Sequence, residues 1–183
     1  MKKTVILFLV CITLRPLTGQ TYNRPVTINP SSGYVTVNEL NGGYGLGETV
    51  IDYSKYYGGF TTTHGYQLNI YGLNVNSSLA AGLGTGIFIY NGGALLPVYA
   101  DGRFTMNRKK VSPYVFARSG LLVSINDLNG QTRLFLQGGP GVKIRVNDQF
   151  AFCVSPGLLV QMGSNVSRDA FLSLNAGLVF KPK

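Results

Sequence analysis

The chain has 183 residues, with sixteen Lys and Arg against seven Asp and Glu, one His, two Cys and no Trp. A single His and scattered acids offer no metal-ligand spacing, so no metal and no cofactor is expected. The basic excess, net +9, is strung out singly along alternating segments rather than gathered in a groove, which argues against a nucleic-acid partner.

In chain order, Lys2 and Lys3 precede the apolar stretch Val5–Leu14, and Leu17-Thr18-Gly19 offers a cleavage site. Residues 1–19 therefore read as an export signal, with Gln20 as the new N-terminus. The apolar stretch is stopped by Arg15-Pro16 and is too short to span a bilayer as a helix. Cys11 lies inside it, which does not suit a lipoprotein signal. Removing Lys2, Lys3 and Arg15 leaves thirteen bases against seven acids, or +6, and Cys153 as the remaining cysteine, so no internal disulfide can form. Residues 20–35, with Pro25, Pro30, Ser31 and Ser32, read as a loose periplasmic leader ahead of a domain over 36–183.

Beyond the leader the chain alternates. From Thr132 to Val146, even positions hold Leu134, Leu136, Val142 and Ile144, and odd positions hold Arg133, Phe135, Gln137, Lys143 and Arg145. A period of two means an extended strand with two unlike faces. Eight such segments can be laid out: 36–47, 63–74, 78–90, 95–106, 111–125, 132–146, 150–162 and 169–180. Short turns fall at 75–77, 107–110 and 147–149, and longer loops at 48–62, 91–94, 126–131 and 163–168. Backbone polar groups within lipid must all be paired, which leaves a closed barrel as the membrane-compatible architecture. The expected fold is all-β: an eight-stranded antiparallel up-and-down transmembrane β-barrel, with short periplasmic turns, longer external loops and both termini in the periplasm.

Face assignment separates a membrane barrel from a soluble ligand-binding one, whose apolar residues point inward. Here Leu40 and Tyr44, Leu68 and Ile70, Leu83 and Ile87, Val98 and Phe104, Val115 and Leu121, Phe152 and Leu158, and Leu172 and Leu178 share apolar faces. The opposite faces carry Asp101, Arg103, Arg118, Arg133, Lys143 and Arg145, expected as a charge cluster in the lumen. Asp101 is read as the one acid in mid-strand. The turn after Met106 sets it directly opposite Arg118 if Lys109-Lys110 is the two-residue turn, and diagonal to it if the turn is Arg108-Lys109; both geometries allow an ion pair. Cys153 is expected to face the lumen. Gly82, Gly84, Gly86, Gly139 and Gly141 also point inward, making room for bulky neighbours; none leads into a helix, as a phosphate loop requires.

Three stretches, His64 to Gly86, Leu96 to Val115 and the closing strand Leu172 to Phe180, resemble the small outer-membrane barrels of the OmpA/OmpX and PorT-like type. The resemblance implies residence in the bacterial outer membrane, contact with its lipid and lipopolysaccharide, and insertion by the barrel-assembly machinery. Asn175, Gly177 and Phe180 match the assembly signal of such barrels, here followed by Lys181-Pro182-Lys183. A monomer is expected.

Eight strands enclose a space just wide enough for side chains to fill it, so a structural or surface-interaction role is favoured over a narrow pore. The binding candidates are Tyr53, Tyr56, Tyr57 and Phe60, placed in the external loop 48–62. Some barrels of this shape resemble it and modify lipid A through a histidine. His64, with Asp52 and Ser54 as partners, is the alternative to a non-enzymatic role, since an acyl-transfer site needs a base beside its nucleophile.

Overall fold

In a computed structural model, the structure describes residues 27–28, 32–46, 55–72, 75–106, 109–126, 132–163 and 168–182. The proposed signal, residues 1–19, lies outside them. Eight long strands follow one another: β2 (Gly33–Gly45), β3 (Tyr56–Gly72), β4 (Val75–Tyr90), β5 (Gly93–Thr105), β6 (Val111–Asn126), β7 (Arg133–Arg145), β8 (Phe150–Met162) and β9 (Arg168–Phe180). A two-residue strand, β1 (Thr27–Ile28), pairs with Ile70 and Tyr71 of β3.

Each long strand is antiparallel to its chain neighbours, and β9 returns to pair with β2, which closes the barrel. The register gives its shape. Cα partners followed from Thr36 run through His64, Leu83, Ala100, Ser119, Leu136, Val160 and Ala170. The Leu46 amide bonds the Ala170 carbonyl, so the path re-enters β2 ten residues above its start. Eight strands with a stagger of ten tilt by roughly 40° to the axis.

The alternation sorts side chains as the period of two requires. Leu83, Leu134, Leu136, Phe152, Leu172 and Leu174 are each more than half exposed on the outside. So continuous an apolar surface is foreign to a protein in water and matches the band that a membrane barrel turns to lipid. Tyr34, Tyr66 and Phe150 are exposed near the turn end, and Tyr44 and Tyr56 near the loop end, as aromatic girdles are.

Several boundaries differ from the sequence reading. β2 begins at Gly33, inside the proposed leader. β3 begins at Tyr56 rather than at 63, so the end of the expected 48–62 loop is strand. Gly58 and Gly59, within the expected loop, both pair in the ladder, with Ile89 and Phe88. A Cβ on Gly59 would strike the Ile87 carbonyl and the Phe88 ring, so glycine there permits close packing of strands rather than a bend. The 91–94 loop reduces to a tight turn, because Tyr90 pairs directly with Gly93.

Candidate functional site

The lumen is filled in layers. Its middle holds four charged side chains from three strands: Glu39 of β2, Asp101 and Arg103 of β5, and Arg118 of β6. Asp101 pairs directly with Arg118 in the register, the arrangement expected for a Lys109-Lys110 turn, and Arg118 Nε donates to Asp101 Oδ1 at 3.3 Å. Arg103, two residues along the same face, donates from Nε to Asp101 Oδ2 at 2.7 Å. Across the lumen, Arg103 grips Glu39 with both terminal nitrogens, at 3.2 Å and 2.9 Å. Arg118 Nη2 donates to the same Glu39 Oε2. Two carboxylates thus balance two guanidiniums, each using the planar fork that suits Arg to such pairing.

The surroundings hold this quartet in place. The Arg118 guanidinium lies 5.4 Å from the Tyr99 ring centre and 5.1 Å from that of Phe116, within the range of cation–π attraction. Gln137 faces Arg118 and donates to Ser173 Oγ at 3.0 Å and Asn175 Oδ1 at 3.1 Å. Asn175 in turn donates to the Ser155 carbonyl at 3.2 Å. The Cys153 thiol points at Glu39 Oε1, 3.6 Å away, and is buried.

Apolar layers lie on both sides. Toward the loop end, Tyr57, Phe88, Tyr90, Leu95, Tyr99, Leu122, Phe135, Leu159 and Phe171 form one buried cluster that plugs the bore. Tyr57 is its hub, with ring centres of Phe88, Tyr90 and Phe171 at 5.1, 5.4 and 5.5 Å. Toward the turn end, Val35, Val37, Tyr114, Phe116, Ala151, Cys153 and Val179 form a second.

The six charged residues expected as one cluster occupy three levels. Asp101, Arg103 and Arg118 are together. Arg133 stands apart at the loop end, 3.9 Å from Asp169. Lys143 and Arg145 line a cavity at the turn end. The reading of Asp101 as the one acid in mid-strand needs correction, because Glu39 is the pivot of the network. Its inward direction was written in the alternation: if Leu40 and Tyr44 face out, Val37, Glu39 and Asn41 face in. The weak Asn- and Gly-rich pattern of that strand concealed it.

The loop candidates also need correction. Tyr56, Tyr57 and Phe60 belong to β3; Tyr56 and Phe60 are exposed on its outer face, while Tyr57 is turned inward and only 4% exposed. Tyr53 lies outside the described residues. Asn175 and Gly177 pack within the lumen wall, where a Cβ on Gly177 would meet Glu39. Phe180 ends β9 with its ring 4.9 Å from that of Phe150. His64 is on the outer face, where its Nδ1 meets the Tyr34 hydroxyl and its Nε2 lies 3.3 Å from Thr62 Oγ1. Both ring nitrogens therefore face hydroxyl groups. Asp52 and Ser54 lie outside the described residues.

No family model and no curated protein sequence matches the chain. Among solved structures it is similar to Neisserial surface protein A (NspA), with a TM-score of 0.54 and 17% identity over 81% of this chain and 96% of that one. A designed transmembrane β-barrel aligns over 82% of this chain and 96% of its own, with a TM-score of 0.40 and 17% identity. The likeness to NspA shows the fold and no narrower kinship: the chain is a closed eight-stranded antiparallel membrane β-barrel.

Proposed function

We propose that this protein resides in the bacterial outer membrane as a plugged barrel, with a structural or surface-interaction role carried by the loops at one rim. The observation that carries the reading is the filled lumen. A layer of interlocked aromatics and a neutral four-charge network occupy the space that a diffusion pore would leave open. Chemistry is not favoured, since His64 on the outer face meets hydroxyls rather than a carboxylate among the described residues. The similar Neisserial barrel is a surface protein, which accords with this role. On this reading the termini and short turns are periplasmic, residues 1–19 are removed on export, and the barrel stands as a monomer among lipid and lipopolysaccharide. The assembly machinery would read β9 through Asn175, Gly177 and Phe180.

An epitope inserted within 127–130 tests the orientation. Antibody should label it on intact cells, whereas the same epitope at Asn147–Gln149 should be reached after permeabilisation alone. The reverse pattern would overturn the assignment of the loops to the outside.

A further inference from the structure

The turn end of the barrel is built differently from the rest. A cavity of about 530 Å³ opens there, and its charged lining residues are Lys109, Lys143, Arg145, Lys181 and Asp148. Among the described residues, four bases against one acid leave an excess of three positive charges. The central quartet adds no net charge, because Glu39 and Asp101 are matched by Arg103 and Arg118. Between the two levels lie Val35, Val37, Tyr114 and Val179, around a small cavity that Arg103 and Lys143 both line.

The walls are held in place rather than loose. Ser112 Oγ donates to the Lys109 carbonyl at 2.9 Å, which fixes the turn bearing Lys109. Asn147 Oδ1 accepts from the Gln149 and Phe150 amides at 2.9 and 2.7 Å, which fixes the turn bearing Asp148. The Lys181 amide bonds the Gln149 carbonyl at 2.8 Å and brings the C-terminal extension over the rim. Lys143 and Arg145 come from β7, where alternation sends both to the inner face.

We propose that this cavity binds a small anion bearing phosphate groups, with a charge of two or three. Three arguments support it. A concave wall with a net positive charge focuses its field on the enclosed volume. That volume lies within the range of small-molecule sites. Three of the four bases are lysines, which serve phosphate as point charges, and a single carboxylate would offset one positive charge of three. The phosphate could be that of a soluble compound or of an anionic phospholipid headgroup at the rim.

The probe is pyrophosphate, titrated calorimetrically into the refolded barrel in zwitterionic detergent. Saturable one-to-one binding is expected. Lys143→Gln with Arg145→Gln should weaken it at least about tenfold, as loss of two charge-assisted contacts implies. Lys110→Gln, which removes a charge outside the cavity lining, should change it less than about twofold. Unaltered heat-modifiable mobility in gels shows that each variant is folded. Absence of saturable binding, or equal loss in the Lys110 variant, would overturn the proposal; so would tighter binding of a hexaglutamate peptide than of pyrophosphate. Repeating the titration in nanodiscs distinguishes the two phosphate sources. Affinity lowered by phosphatidylglycerol relative to phosphatidylcholine, with the difference lost in the double variant, assigns the site to the headgroup. Equal affinity in the two discs assigns it to a soluble phosphate compound.

Discussion

Glu39 is the residue on which the lumen turns. It accepts hydrogen bonds from both Arg103 and Arg118, and its side chain is 1% exposed. Its replacement by Gln leaves two guanidiniums with Asp101 as their remaining carboxylate. Breaking a buried pair from one side costs about 3–5 kcal/mol, so Glu39→Gln should shift the urea unfolding midpoint in lipid vesicles well below that of the parent. Asp101→Asn and Arg118→Gln should each destabilise, and the double variant should lose less than the sum, since the two side chains share one network. Strictly additive losses would show that they do not meet. The Asp101–Arg118 pairing was legible in sequence because a short turn fixes the register of the two strands it joins. The bonds from Glu39 were not: β2 and β5 are brought across from one another by closure of the whole barrel, which no local pattern encodes. Cys153 offers a simpler test of the same layer. Being 2% exposed, its thiol should react with a bulky maleimide within minutes in denaturant and scarcely at all in the folded barrel.

At the scale of elements, strand existence and facing were readable, because alternation over a dozen residues is a strong signal. Ends were less so. The 48–62 stretch mixes glycines with aromatics and threonines, and local sequence does not say whether Gly58-Gly59 turns the chain or lets two strands approach. Pairing with β4 decides it, and the decision reverses the role of Tyr57 from loop contact to lumen plug. The inward glycines show the opposite case, where a sequence reading of missing side chains as space has a specific occupant. A Cβ on Gly43 would meet the Tyr57 ring, one on Gly84 the Tyr99 ring, and one on Gly141 the Tyr114 ring. Gly84→Val should therefore overpack the lumen and destabilise the barrel by about 1–3 kcal/mol. Combining it with Tyr99→Leu should restore part of the loss. Measured by urea unfolding, a full additive penalty in the pair would mean that the ring and the glycine are not in contact.

For the whole molecule, the packed interior predicts a barrel that does not conduct ions. The apolar belt outside, the paired backbone within it and the packed interior all follow from one alternation wound round eight strands. Among the described residues, the interior holds two packed levels, the aromatic cluster around Tyr57 and the quartet around Glu39. Conductance across a planar lipid bilayer measures this. Purified wild-type barrel should insert without stepwise conductance in 1 M KCl, while a variant with Tyr57, Phe88 and Phe171 changed to Ala and Glu39, Arg103 and Arg118 changed to Ser should give resolvable steps. Steps of well-defined size from the folded wild-type protein would show instead that the lumen is open.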